Sequence, residues 1–113
     1  MPHCIIEYSN KLEKRISAES LLKAVHQAMV DSNLFDPDDV KVRTLSFENY
    51  TVGDTEADFI HITVKLLDGR DDAQKAELSR LVFDSVMQFG LGSLALTVDI
   101  VDMKKTTFSK FVG

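Results

Sequence analysis

The chain is short of three things, and each shortage removes a class of protein. It has one cysteine, Cys4, so no internal disulfide can form and a reducing compartment is its natural home. Its 13 Lys and Arg stand against 18 Asp and Glu, a net charge of −5. No basic cluster is available to neutralise phosphates, which argues against a nucleic-acid partner. No apolar run approaches the roughly 18 residues of a membrane span, so no membrane partner is expected. The N-terminus has no basic segment followed by an apolar stretch, the pattern of a signal peptide, and a cytoplasmic location is the expectation. What is present is ordinary: 113 residues, 44% of them hydrophobic, suit a single domain over 1–113 with a modest core.

Along the chain, His3 to Tyr8 reads as a strand, with Pro2, Cys4, Ile6 and Tyr8 on one face and His3, Ile5 and Glu7 on the other. Lys11 to Arg15 is a charged connection. Ser17 is a good helix N-cap, and Leu21, Leu22, Val25, Ala28 and Met29 form one apolar stripe, ending near Asn33. A turn at Asp36-Pro37-Asp38 leads into a strand over Val40–Phe47, where Lys41, Arg43, Leu45 and Phe47 share a face. Asn49 to Glu56 is a polar loop. The clearest strand follows: Ile60, Ile62, Val64 and Leu66 alternate with His61, Thr63 and Lys65. Asp71 with Gln74 makes a capping box for a second helix, whose stripe is Leu78, Leu81, Val82, Ser85, Val86 and Phe89, with Gly90 as its stop. Leu94 to Met103 is the last strand, and the tail over 105–113 carries Phe108, Phe111 and Val112, aromatic and aliphatic groups suited to docking.

Strand–helix–strand therefore occurs twice, over 2–49 and 57–104. Each crossover should join parallel strands with right-handed connection. Pattern alone admits two α/β architectures: a ferredoxin-like sheet, or two βαβ units related by pseudo-twofold symmetry.

Several side chains have a bland reading beside a chemical one. Cys4, with no acid–base partner in view, reads as a small buried hydrophobe. His26, with no second ligand four residues on, reads as a helix-edge residue rather than a metal ligand. His61 reads as a cross-strand partner. Lys41 and Arg43 suit either a solvated face or a grip on a dianion. Pro2 is tolerated at a strand's first position, because no ladder donor is needed there. If Met1 is removed, as a small second residue favours, Pro2 becomes a free secondary amine anchored by a strand. An α-amine titrates near 7.7–8.0. Burial lowers that value, and a neutral amine near working pH is a competent general base.

The opening Met1-Pro2-His3, Ile5 and Glu7-Tyr8-Ser9 resembles the start of 5-carboxymethyl-2-hydroxymuconate isomerases of the tautomerase superfamily. The likeness continues through Leu34-Phe35, Val40-Lys41-Val42-Arg43, the strand Phe59 to Lys65, and Gly69-Arg70. The resemblance implies the paired βαβ arrangement: a four-stranded mixed sheet with both helices on one face, assembled as a homotrimer. It implies a small dicarboxylate substrate, a proton shift with Pro2 as base, and neither metal nor organic cofactor. Arg70 matches a family arginine and is the expected substrate-binding residue, helped by the helix N-terminus that follows it. Arg43 matches a second. Lys41 stands where the family has arginine, so a point charge replaces a planar fork. Two functions are then to be weighed: a Pro2-dependent isomerase, and a non-catalytic trimeric binding or assembly module on the same scaffold.

Overall fold

The computed structural model describes residues 1–113. Its strands and helices run in the order β1 (His3–Ser9), α1 (Ala18–Asp31), β2 (Lys41–Phe47), β3 (Asp58–Leu67), α2 (Asp72–Met87) and β4 (Leu94–Met103). The sheet order is β2-β1-β3-β4. β1 pairs parallel to β2, β3 parallel to β4, and the two halves join through antiparallel β1 and β3. In a split βαβ another strand separates the two parallel ones. Here β1 and β2 are directly hydrogen-bonded, so the choice falls on two intact βαβ units.

One face of the sheet carries the core. Cys4, Ile6, Ile60, Ile62 and Val64 are fully buried there, against Leu21, Val25 and Met29 of α1 and Leu78, Val82 and Val86 of α2. The even-numbered alternation in β1 and β3 therefore points at the helices, and the odd-numbered side chains point away. That second face has no helix over it. It carries His3, Ile5, Lys41, Arg43, Leu45, His61 and Lys65, and Leu45 is half exposed.

The helices begin where their caps put them. The Ser17 side chain accepts from the Ser20 amide, and Asp71 and Gln74 form a reciprocal box. α1 stops at Asp31, two residues before the expected end, because Asn33 turns into the left-handed region at φ 58°. α2 stops at Met87, and Gly90 takes φ 58° beyond it. Phe89, expected on the α2 stripe, therefore lies past the helix end and is 38% exposed. The charged connection after β1 is a short 3-10 turn, Asn10–Lys14, that buries Leu12 completely.

The far end of the sheet is closed by a polar cluster. Ser9 Oγ donates to Asp58 Oδ1 at 2.9 Å and accepts from the Phe59 amide at 3.1 Å. The Arg15 guanidinium pairs with Asp58 Oδ2 and donates to the Leu91 carbonyl. Asp58 thus ties β1, β3 and the α2–β4 connection together. Asp58→Ala strands Arg15 and the Ser9 hydroxyl, a change worth about 1–3 kcal/mol for a charged hydrogen-bond partner. Thermal unfolding monitored by circular dichroism should show a Tm lowered by about 4–8 °C or more.

Candidate active site at the N-terminal edge

Everything at the opposite end follows from the register of β1. His3 sits between Lys41 of β2 and Lys65 of β3, its Cα partners on either side. Pro2 is buried just before it, and the Pro2 carbonyl accepts from the Lys41 amide at 3.1 Å. Proline is suited to this position because only its carbonyl enters the ladder.

The Met1 amine donates to the Asp39 carbonyl at 3.4 Å, and Lys41 Nζ donates to the same oxygen at 3.0 Å. Amine and ammonium are therefore neighbours. Burial lowers the pKa of that amine first, and the Lys41 charge lowers it further; Asp39 opposes them, and Lys110 adds a smaller push in the lowering direction. The surroundings of Met1 thus shift its amine toward the uncharged form.

The pKa of His3 is lowered as well, which favours its neutral ring. Burial acts first, then the positive charges of Arg43, Lys41, the N-terminus and Lys65. Arg43 Nη1 donates to His3 Nδ1 at 3.1 Å. A guanidinium only donates, so Nδ1 is the acceptor and the proton of the neutral ring is on Nε2.

A cavity of about 190 Å³ opens at this edge, lined by Met1, His3 and Lys41 on one side and by Phe108, Ser109, Lys110, Phe111 and Val112 of the tail on the other. Larger hollows lie elsewhere: one of about 570 Å³ between the helices, lined by Lys23, Gln27, Asp84 and others, brings together no such neutralised base. Chemistry therefore points to the smaller one. Lys41, Arg43 and Lys65 form a positive strip beside it on a chain of net charge −5. Such a strip attracts small anions.

The four residues singled out in the sequence do not all meet. Lys41 lines the cavity; Pro2, buried between the lining residues Met1 and His3, does not itself line it, and Arg43 stands one side chain away, through His3. Arg70 lies at the same end of the sheet but does not line it. Its guanidinium donates to the Leu34 carbonyl and stacks 5.7 Å from the centre of the Phe35 ring. His3 was not singled out, and the tail, read as a docking segment, lies against the N-terminal edge of its own chain. The signal for His3 was its place on the same strand face as Lys41 and Arg43, once β1 and β2 are taken as a parallel pair. No periodicity in the tail foretold its course.

The remaining readings fall on the bland side. Burial pushes the Cys4 thiol up to about 12, which leaves it inert at neutral pH. His61 shares a 2.6 Å hydrogen bond, Nδ1 to Oγ1, with Thr97, its register partner on β4.

Comparison with known proteins now decides the family. The family model for 5-carboxymethyl-2-hydroxymuconate isomerase matches residues 2–111. The chain belongs to that family. It is an isomerase of the tautomerase superfamily. The crystal structure of a 5-carboxymethyl-2-hydroxymuconate delta-isomerase superposes with a TM-score of 0.86 at 16% identity, covering 99% of this chain and 89% of that one. A 5-carboxymethyl-2-hydroxymuconate isomerase from Deinococcus radiodurans R1 gives 0.84 at 21% identity, over 99% and 90% of the two chains. A wild-type fused 4-OT described as a symmetric trimer gives 0.78 at 21% identity, over 98% and 93%. At these identities the superpositions establish the fold. Comparison with curated proteins gives no match.

Proposed function

We propose that this family member shifts a proton within an unsaturated 2-oxo or 2-hydroxy dicarboxylate such as 5-carboxymethyl-2-hydroxymuconate. The nitrogen of Pro2 is the base once Met1 has been removed. It takes the proton from one carbon and returns it at another as the double bond moves. The electrons rest meanwhile on the substrate's own enolic oxygen, whose charge the adjacent cations stabilise. The observation that carries the reading is the edge itself: Pro2 is buried between Met1 and His3, which line a small cavity together with Lys41, so loss of Met1 leaves the Pro2 nitrogen as the chain terminus beside that lysine. Lys41 is the substrate-facing cation, and Arg43 adds positive charge from behind His3. Arg70 serves from behind, by holding the Leu34-Phe35 segment, unless substrate draws its guanidinium away.

The test is intact mass together with a tautomerisation assay. Protein lacking Met1 should turn over a 2-hydroxymuconate-type dienol, and reagents that acylate the N-terminal nitrogen should abolish turnover. Processed protein without activity above Pro2→Ala would instead favour a non-catalytic module.

The assembly we propose is a homotrimer in which the helix-free sheet faces pack together, working in the cytoplasm, where a lone buried thiol stays reduced. Leu45, half exposed on that face, supports this reading, as do relatives described as trimers. Leu45→Arg should bring three like charges into the packed faces and yield monomers in sedimentation velocity. An unchanged trimer would remove this face from the interface.

A further inference from the structure

We propose that Lys110, on the C-terminal tail, is the second cation of the substrate site and with Lys41 selects dicarboxylates over monocarboxylates. This rests on the isomerase reading above.

The tail does not leave the domain. After β4 it makes a short 3-10 turn, Lys105–Thr107, tied to the β3–α2 connection where the Lys105 amide donates to Asp68 Oδ1 at 3.3 Å. Phe108 to Val112 then form the wall of the cavity that faces Met1, His3 and Lys41. Lysines 41 and 110 are the only full-time cationic side chains in that lining. The arginines are committed elsewhere, Arg43 to His3 and Arg70 to the Leu34 carbonyl and the Phe35 ring. Lys110 is near enough to the terminal amine to contribute to its lowered pKa.

Size sharpens the argument. With Met1 in its lining the cavity is about 190 Å³, smaller than pockets for drug-sized ligands, which begin near 300 Å³, and loss of Met1 frees the space its side chain takes on the strand side. A small acid of several carbons would bring its ends close to the two walls. One carboxylate meets Lys41 on the strand side and the other meets Lys110 on the tail side. Phe108 and Phe111 flank the apolar middle. Phe111 is 90% exposed, so it has contact to gain when a substrate arrives. Lys41 supplies one end of the grip and the tail cation supplies the other.

The experiment measures binding, not turnover, with adipate and hexanoate as six-carbon probes differing by one carboxylate. Both are titrated into Met1-free wild type, Lys110→Met and Lys110→Arg, followed by amide shifts in nitrogen–proton NMR. Lys110→Met should weaken adipate about tenfold, the scale of one charge-assisted hydrogen bond, while hexanoate changes less than about twofold. Lys110→Arg should restore most of the loss. Equal weakening of both acids, no weakening of adipate, or no adipate binding by wild type would each overturn the assignment. Repeating the titration in Pro2→Ala separates the two readings, because acid binding there does not depend on a competent base. Discrimination retained in that variant supports the tail's role whatever its turnover. Full activity of Pro2→Ala would sink the proline mechanism alone.

Discussion

Pro2→Ala, in chains that have lost Met1, is expected to lower kcat/KM by about 10²-fold, the low end of a positioned base's worth, because alanine still offers a terminal amine but has no ring to hold it in place. The argument is electrostatic as well as geometric. The Met1 amine at this edge is pulled below its ordinary value, by burial first and by Lys41 second, and the same direction is proposed for the Pro2 nitrogen exposed when Met1 is lost. Lowering an amine's pKa enlarges the pH range in which it is unprotonated. The acid limb of kcat/KM should therefore fall below the ordinary 7.7–8.0 of an α-amine. Lys41→Met removes one lowering influence, so the limb should move to higher pH. A limb that stays put in Lys41→Met, or Pro2→Ala activity within about threefold of wild type, would contradict a base tuned in this way.

That prediction leans on features of unequal visibility in the sequence. The β3 alternation was legible because Ile60, Ile62, Val64 and Leu66 are buried on one side by helices and their neighbours are not. The Ser17 cap and the Asp71–Gln74 box were legible because capping is local, settled within four residues. Pairing Lys41 with Arg43 on one face needed only the two-residue strand period. The site itself is not local. His3 meets Arg43 because β1 and β2 lie parallel in one register, and 40 residues separate the two. Arg70 reaches Leu34 across the meeting of two connections, 36 residues apart, which no spacing rule anticipates. The tail's return over Met1 joins the two ends of the chain, and a segment without apolar period carries no mark of its destination. The choice between two sheet orders was likewise beyond periodicity, because both place strands and helices in the same sequence. Family resemblance made that choice, and the direct β1–β2 pairing agrees with it.

Ile62→Ala is expected to cost the fold about 2–5 kcal/mol, out of a total stability that is about 5–15 for domains of this kind. Ile62 has no solvent exposure, and its Cα partners are Ile6 on β1 and Val98 on β4. It therefore stands where the antiparallel seam between the halves meets both helices. Truncation there removes buried methyl groups and leaves a cavity that two sheet-bound neighbours are too constrained to fill. Chemical denaturation should show a lower midpoint with nearly unchanged slope, since the surface exposed on unfolding hardly alters. Thr63→Ala, one residue on, is the matched control: its side chain points to the helix-free face and opens no hole beneath the helices. Its unfolding midpoint should stay near that of wild type in the dissociated subunit. If the two variants lose equal stability there, the core does not lie on the side of the sheet to which β3 assigns it. The positive strip at the N-terminal edge depends on that same alternation, since it places His3, Lys41 and Lys65 opposite the core.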